Sequence, residues 1–425
     1  MKTNPKDRTV KPMNKQIRLK FRPILLVMVL LCIFSASPTV AAPGDWARVN
    51  TDGFSMSPPG EAGSALSMVV YNGNLYTGTV NYENENGCQV WRYNSGTSWT
   101  QISTSGLGDA NNEMIFGMAV FNGLLYVGTR NAITGGEVWS YNGTAWAQVN
   151  TDGFGAGAAN RSTSALIVFN NQLYAGTGNN ARVFRYDGGT TWTQINTDKF
   201  GDADTTDCRS FAVHDNNLYV GVYRNSGTRV FRYDGGTTWT QINTDGFGDT
   251  NNRETRVMQS YNGTLYAGTS GTDTPQILRY NGGTSWTDIT PAYPDDANDA
   301  VRSMAVYNGD LYVGTGSYKG VGTQIYSYNG SDWDQVNENG FGDPLNMATH
   351  SLTVFNNQLY AGIFAVDWDA TPDVYFGARV WRMDRSASGA IPTLSEWGII
   401  VLSLILAAAA IRVIRKRNTG KLFSA

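Results

Sequence analysis

From residue 45 to residue 385 apolar and polar positions alternate in short runs of β-forming residues, four to a unit, and Gly, Asn or Asp closes most runs. One unit shows the pattern in full, with strands predicted at 256–261, 264–269, 276–280 and 285–290. The first two are joined by Asn262-Gly263, a pair that tolerates the positive φ angles of a tight hairpin, and the last two by Asn281-Gly282-Gly283. No helical periodicity competes within the units.

Two positions count the repeat. A Trp recurs at Trp46, Trp99, Trp146, Trp192, Trp239, Trp286 and Trp333, and a Leu-Tyr pair carries its Tyr at Tyr76, Tyr126, Tyr174, Tyr219, Tyr266, Tyr312 and Tyr360. Both series have seven members, with a period of about 47 residues, the length of one four-stranded blade. The ends are split: Trp46 precedes any complete unit, whereas the seventh unit stops after its third strand at Val380-Trp381-Arg382-Met383. The first segment therefore supplies the strand that the last unit lacks. The pattern predicts an all-β fold over 45–385, a seven-bladed β-propeller of four-stranded antiparallel blades closed by the N-terminal strand.

Composition agrees: 48 Gly, 12 Trp and 22 Tyr with only 16% charged residues suit a turn-rich β protein. A net charge of −3 and the lack of a basic stripe within the repeats argue against nucleic acid as a partner. Beyond Cys32 the only cysteines are Cys88 and Cys208, in units one and four, too far around a ring for a disulfide. Two histidines, His214 and His350, exclude His-rich metal sites, and there is no Walker loop, nucleophile elbow or Cys-x-x-Cys.

The two ends read as targeting segments. Lys15, Arg18, Lys20 and Arg22 precede an apolar run at 24–34 and a small-residue stretch, which predicts a signal peptide over 1–41 with cleavage after Ala41. After a linker at 386–390, a transmembrane helix is predicted at about 397–414, followed by a basic end with Arg415, Lys416 and Arg417 that stays in the cytoplasm. The propeller is thus expected outside the inner membrane, anchored at first by this helix.

Ile391, Pro392, Thr393, Leu394, Trp397 and Gly398, placed before that helix and basic end, resemble the IPTL-type C-terminal sorting signal of Gram-negative bacteria over 391–417. The resemblance implies recognition and cleavage by a membrane-embedded exosortase, then delivery to the cell surface or extracellular matrix. Two turns, Asp187-Gly188-Gly189-Thr190-Thr191-Trp192 and the hexapeptide from Asp234 to Trp239, resemble the Asp-box of sialidases and related propellers, and the repeats as a whole are kelch-like. That resemblance implies a folding element, with the Asp satisfying turn amides and the Trp packed in the blade. The linkers between units, such as 244–252, space Asp and Asn at intervals that suit calcium or, equally, bare turns; no other cofactor is indicated.

The units differ most at one position. Five residues before the end of each innermost strand stand Leu66, Phe116, Ser164, Arg209, Arg256, Arg302 and His350. Three arginines and a histidine in succession, near the central channel, suit a carboxylate or sulfate. The alternative is local pairing with Asp207 and Glu254, which Arg302, with Ala300 two residues upstream, lacks. The loop expected at 363–378 adds Asp367, Trp368, Asp369, Asp373, Tyr375 and Phe376, with Tyr82, Glu83 and Glu85 opposite. Aromatics beside carboxylates offer a sugar a stacking face and acceptors, unless the loop folds over the blade edge.

Two functions follow as expectations. The first is a non-catalytic binding, adhesion or matrix module that engages an extracellular glycan or protein. The second is a glycoside hydrolase or lyase acting on acidic polysaccharide, with the arginines holding a carboxylate and a carboxylate or Tyr doing the chemistry.

Overall fold

A computed structural model describes residues 46–56, 62–81, 86–272, 274–293, 298–317, 320–367, 370 and 374–384. The segments 1–41, 386–390 and 391–417, the helix expected at 397–414, and Tyr82, Glu83, Glu85, Trp368, Asp369 and Asp373 lie outside the described residues. Among the described residues no helix is long and apolar enough to cross a membrane.

The alternating runs form antiparallel meanders of four strands. In the fourth unit Thr205–His214 pairs with Asn217–Arg224, which pairs with Val230–Gly235, which pairs with Thr238–Gln241. The hairpin turns use the expected left-handed residues: Asp215 and Asn216 at φ 46° and 54°, and Asn262 and Gly263 at φ 45° and 70°. At the end of the chain Asn346–Phe355, Gln358–Asp367 and Arg379–Met383 pair in succession. Trp46–Arg48 adds beside the last of these, with Trp46 opposite Met383 and Arg48 opposite Trp381.

The core lies between units rather than within them. One apolar cluster joins Phe169, Leu173's neighbour Tyr174, Val183 and Ile195 to Cys208, Leu218, Val220 and Phe231 of the next unit. Another joins Val49, Tyr360 and Val380 to Ala65, Leu75 and Trp91, residues of the last and first units. The recurring Trp pins these seams, since each indole N–H donates to a carbonyl of the preceding unit. Trp239 donates to Ile195 at 2.8 Å, Trp99 to Val49 at 2.8 Å and Trp46 to Val336 at 2.8 Å.

The linkers carry short 3-10 turns such as Asp245–Gly248, in which a non-Gly residue takes a left-handed conformation. Phe247 sits at φ 60°, a conformation that costs a bulky residue on the order of 1–3 kcal/mol. Its ring meets Trp286 edge-on at 5.1 Å, and the equivalent Phe200 stacks on Phe231 at 4.4 Å, so aromatic contact offsets the strain.

The structure corrects the reading of 363–378 as one long loop. Ile363, Phe364, Ala365 and Val366 are buried and continue the strand Gln358–Asp367, and Val374–Tyr375 pairs back onto Val366 and Asp367. Four apolar residues in a row, two of them β-branched, bury better as strand than as loop.

Candidate functional site

In every innermost strand the ladder to the second strand slips by one residue at the same place. The slips fall between Ala65 and Ser67, Ile115 and Gly117, Thr163 and Ala165, Cys208 and Ser210, Thr255 and Val257, Val301 and Ser303, and Thr349 and Ser351. The residues skipped are Leu66, Phe116, Ser164, Arg209, Arg256, Arg302 and His350. These same seven line one cavity of about 140 Å³. A β-bulge leaves its extra residue out of the ladder and re-aims the side chain, which is why all seven reach a common space from strands that otherwise point residues alternately into the blade faces.

Each bulge is held from behind by the neighbouring unit. A Cβ at Gly221 would lie 2.7 Å from Thr255 Cβ, and one at Gly314 would lie 2.7 Å from Thr349 Cβ. The absent side chain lets the residue before each bulge approach the adjacent second strand. Ser210 Oγ then donates to the Thr255 carbonyl at 2.7 Å, Ser303 Oγ to Thr349 at 2.8 Å, and Ser351 Oγ to Ala65 at 3.0 Å. The backbone immediately before Arg256, His350 and Leu66 is thereby fixed.

The pairing of the arginines differs from the local scheme expected along the chain. Glu254 is bonded to Arg256 at 2.5 Å, as its position two residues upstream suggests, and also lies 3.3 Å from Arg209 of the preceding unit. Asp207 faces Arg161 at 3.9 Å instead of Arg209. The Arg209 guanidinium also lies 5.6 Å from the centre of the Tyr223 ring. Burial alone would raise the Glu254 carboxyl, but the charges of Arg256, Arg209 and Arg302 and the Arg256 hydrogen bond overcome it and hold the group at about 2. Arg302 lies over Gly316, where a Cβ would stand 3.0 Å from its Nε.

His350 is held by two contacts. Its Nδ1 lies 2.8 Å from Ser64 Oγ, and its ring stacks on Phe364 with centroids 5.5 Å apart. Its Nε2 is buried and has no hydrogen-bond partner among the described residues. Burial, and then the charges of Arg302 and Arg256, holds the imidazole far below the usual histidine range, so the ring is neutral at physiological pH. Among the described residues that line the cavity there are three guanidinium groups, one neutral imidazole and no carboxylate.

The remaining predicted residues do not join this cavity's lining. Asp367 ends its strand, Trp368 lies outside the described residues, and Tyr375 packs against the cluster of Met347, Ala348, Phe364 and Val366. A second cavity, about 530 Å³, shares Phe116 and Arg209 with the first and adds Arg130 and Arg161. Sequence reasoning missed these two because Arg130 ends a second strand and Arg161 precedes a first strand, so only the fold brings them together.

The Asp-box-like turns need a correction. The carboxylate of Asp187 accepts from Arg185 Nε at 2.8 Å and from the Thr193 hydroxyl, not from turn amides, and Asp234 does the same with Arg232 and Thr240. The turn amides are satisfied by Asn in the shorter hairpins, where Asn142 Oδ1 accepts from the N–H of Thr144 and Ala145 at 2.9 Å each. In the linkers Asp245 is bonded to Arg229 at 2.7 Å, and that bond, against desolvation, holds its carboxyl at about 2. Among the described residues no group of three or more His, Cys, Asp or Glu is arranged to hold a metal ion.

A family model for a β-propeller domain, DUF6242, matches residues 152–297, and one for the IPTL-CTERM motif matches residues 390–417. No curated protein matches the chain. Among solved structures, a catalytically inactive histidine-to-alanine variant of virginiamycin B lyase from Staphylococcus aureus, with quinupristin, shares the fold. It is 8% identical, over 80% of this chain and 99% of that one, with a TM-score of 0.57. The Dos1 propeller is 14% identical over 73% of this chain and 75% of that one, with a TM-score of 0.46. The chain is an all-β protein with a β-propeller domain that carries an IPTL-CTERM motif at residues 390–417.

Proposed function

We propose that this chain is a surface-sorted binding propeller whose central cavity takes the acidic group of an extracellular ligand, a carboxylate or sulfate on a glycan. Seven blades close into a ring, with Trp46–Arg48 completing the last blade beside Arg379–Met383. The pairing of those two strands and the Trp46 to Val336 hydrogen bond support this closure. The observation that carries the ligand reading is the convergence of Arg209, Arg256, Arg302 and His350, each on a bulge, on one small cavity. Guanidinium groups held at fixed angles recognise a planar or tetrahedral oxyanion better than a neutral hydroxyl.

The sorting motif supports export and processing by an exosortase-type enzyme at the surface, after a signal peptide and a C-terminal helix have brought the propeller across the inner membrane. Replacing Pro392 and Thr393 by Ala is expected to leave uncleaved protein in that membrane, and equal surface delivery of both forms would count against the motif's role. For the ligand, the purified chain on a panel of immobilised glycans should retain uronate- or sulfate-bearing glycans over neutral ones. Equal retention of neutral and acidic glycans would contradict the reading.

A second reading, a lyase or hydrolase on acidic polysaccharide, draws on His350 alone. A neutral imidazole oriented through Nδ1, with Nε2 free of any partner among the described residues, is placed as a general base would be. Release of shortened or unsaturated products from a bound acidic glycan would favour it over simple binding.

A further inference from the structure

We propose that the acid-binding site is bipartite, and that its ligand is a chain of acidic sugars long enough to place one acidic group in the central cavity and a second against Arg161. The proposal rests on the central-cavity reading and extends it to a subsite on different blades. A water's share of liquid volume is about 30 Å³, so the central cavity of about 140 Å³ takes an acidic group and its immediate substituents and little more. The adjoining cavity of about 530 Å³ falls within the range of sites that hold a whole small ligand, roughly 300–1,000 Å³. The two share Phe116 and Arg209, so a ligand whose end sits among the arginines has its body in the larger space.

The larger cavity has its own cations. Arg130 is bonded to Glu113. Arg161 has a side chain 42% exposed, and the Asp207 carboxylate lies 3.9 Å from it. That is long for a charge-assisted hydrogen bond, which leaves the Arg161 guanidinium able to turn toward an incoming oxyanion. Asn81 supplies a polar side chain on the same wall. Phe116 lines both cavities, and an aromatic side chain there suits the apolar face of a sugar.

An acidic peptide is the less fitting occupant. Peptides that join a sheet do so along an unbroken strand edge, and each innermost strand is interrupted at the cavity by its bulge. Sugar chains need only side-chain contacts, which is what both cavities provide.

The experiment compares the full-length chain with its Arg161→Ala, Arg302→Ala and Arg185→Ala variants, the last a control whose guanidinium is bonded to Asp187 on an outer hairpin. Galacturonate, trigalacturonate and the tripeptide Asp-Asp-Asp are titrated at low salt, with melting temperatures alongside. The wild-type chain is expected to bind trigalacturonate at least about tenfold more tightly than galacturonate, as a second charge-assisted contact implies. Arg161→Ala should abolish that ratio, Arg302→Ala should weaken both sugars and keep it, and Arg185→Ala should change neither. If Arg161→Ala lowers the melting temperature, Arg161→Gln is titrated in its place and should also abolish the ratio. A ratio that survives both Arg161 variants overturns the second subsite and leaves the central reading intact. Tight binding of the tripeptide overturns the choice of a sugar chain. Failure of the wild-type chain to bind any acidic probe overturns both the subsite and the reading beneath it.

Discussion

His350 Nδ1 lies 2.8 Å from Ser64 Oγ, a contact between the innermost strands of the last and first units, 286 residues apart in the chain. One hydrogen bond thus joins the first unit to the last at the wall of the cavity. It orients an imidazole that burial and the charges of Arg302 and Arg256 keep neutral.

If the cavity binds an anion as proposed, a neutral His350 beside Arg302 and Arg256 makes that binding proton-linked. A bound oxyanion offsets the arginine charges, so protonation of His350 and occupancy of the cavity favour each other. Affinity for sulfate should rise only as pH falls well below the usual histidine range, and His350→Gln should flatten the profile. The same group contributes to stability in the opposite sense. The unfolded chain takes up a proton near 6.5 before the folded chain does, so the His350 contribution is present above that pH and is lost as pH falls below it. Titration calorimetry in two buffers of different ionisation enthalpy measures the proton uptake; zero uptake would refute the linkage.

Closure of the ring can be read from one indole. Trp46→Phe keeps the ring packing against Phe341 and removes the N–H to Val336, and Trp239→Phe does the same to Ile195 at an interior seam. Each change should cost about 1–2 kcal/mol, the price of leaving a buried carbonyl unsatisfied. Chemical denaturation of the two variants should give similar losses. A Trp46→Phe variant as stable as the wild type, beside a weakened Trp239→Phe, would mean that the first strand does not hold the seam.

Glycine positions separate fold from site. Gly221→Ala drives a Cβ to 2.7 Å from both Ser210 Oγ and Thr255 Cβ, neither of which can withdraw, and should destabilise the chain by about 1–3 kcal/mol. Gly316→Ala meets Arg302 Nε at 3.0 Å and Cγ at 3.4 Å, on a side chain long enough to shift. It should leave the melting temperature within a degree or two of wild type and still weaken acid binding, because a guanidinium displaced by a few tenths of an ångström loses hydrogen-bond alignment.

Much of this was legible in the residues, and the rest was not for definite reasons. The Trp and Leu-Tyr series mark each unit because an indole at a seam and a Leu-Tyr pair in a second strand are needed once per blade. The seven cavity residues stand at one register and could be picked out by counting back from each strand end. The bulge that aims them could not, since an extra residue in one strand is defined only against its partner. Glu254 serves Arg209 of the preceding unit as well as its neighbour Arg256, and Asp207 serves Arg161, because the blades bring together residues that spacing keeps apart. The strand at 363–366 was hidden by the Asp, Trp and Phe that follow it, which have the composition of a loop.

Acid stability should report Glu254. Its folded carboxyl is held at about 2 against the usual 4.5, so its contribution is fully present above about pH 4.5 and is lost as pH falls toward 2. For a carboxylate this buried the difference is roughly 3 kcal/mol. Glu254→Gln should lower stability at pH 7, since it leaves Arg209 and Arg256 without their shared counter-ion, and should reduce the further loss on acidification. Urea unfolding at several pH values would show the two curves converging; parallel curves would assign the acid transition to other carboxylates.

The central claim is that the bulge-mounted arginines form an anion site and are not merely structural. The most direct measurement is the affinity of Arg302→Ala for trigalacturonate, at low and high salt, beside its melting temperature. Loss of a charge-assisted contact predicts a decrease of about tenfold to a hundredfold, smaller at high salt, with the melting temperature nearly unchanged. Unchanged affinity in a variant that melts well below the wild type would contradict it, and would make Arg302 a strut of the fold.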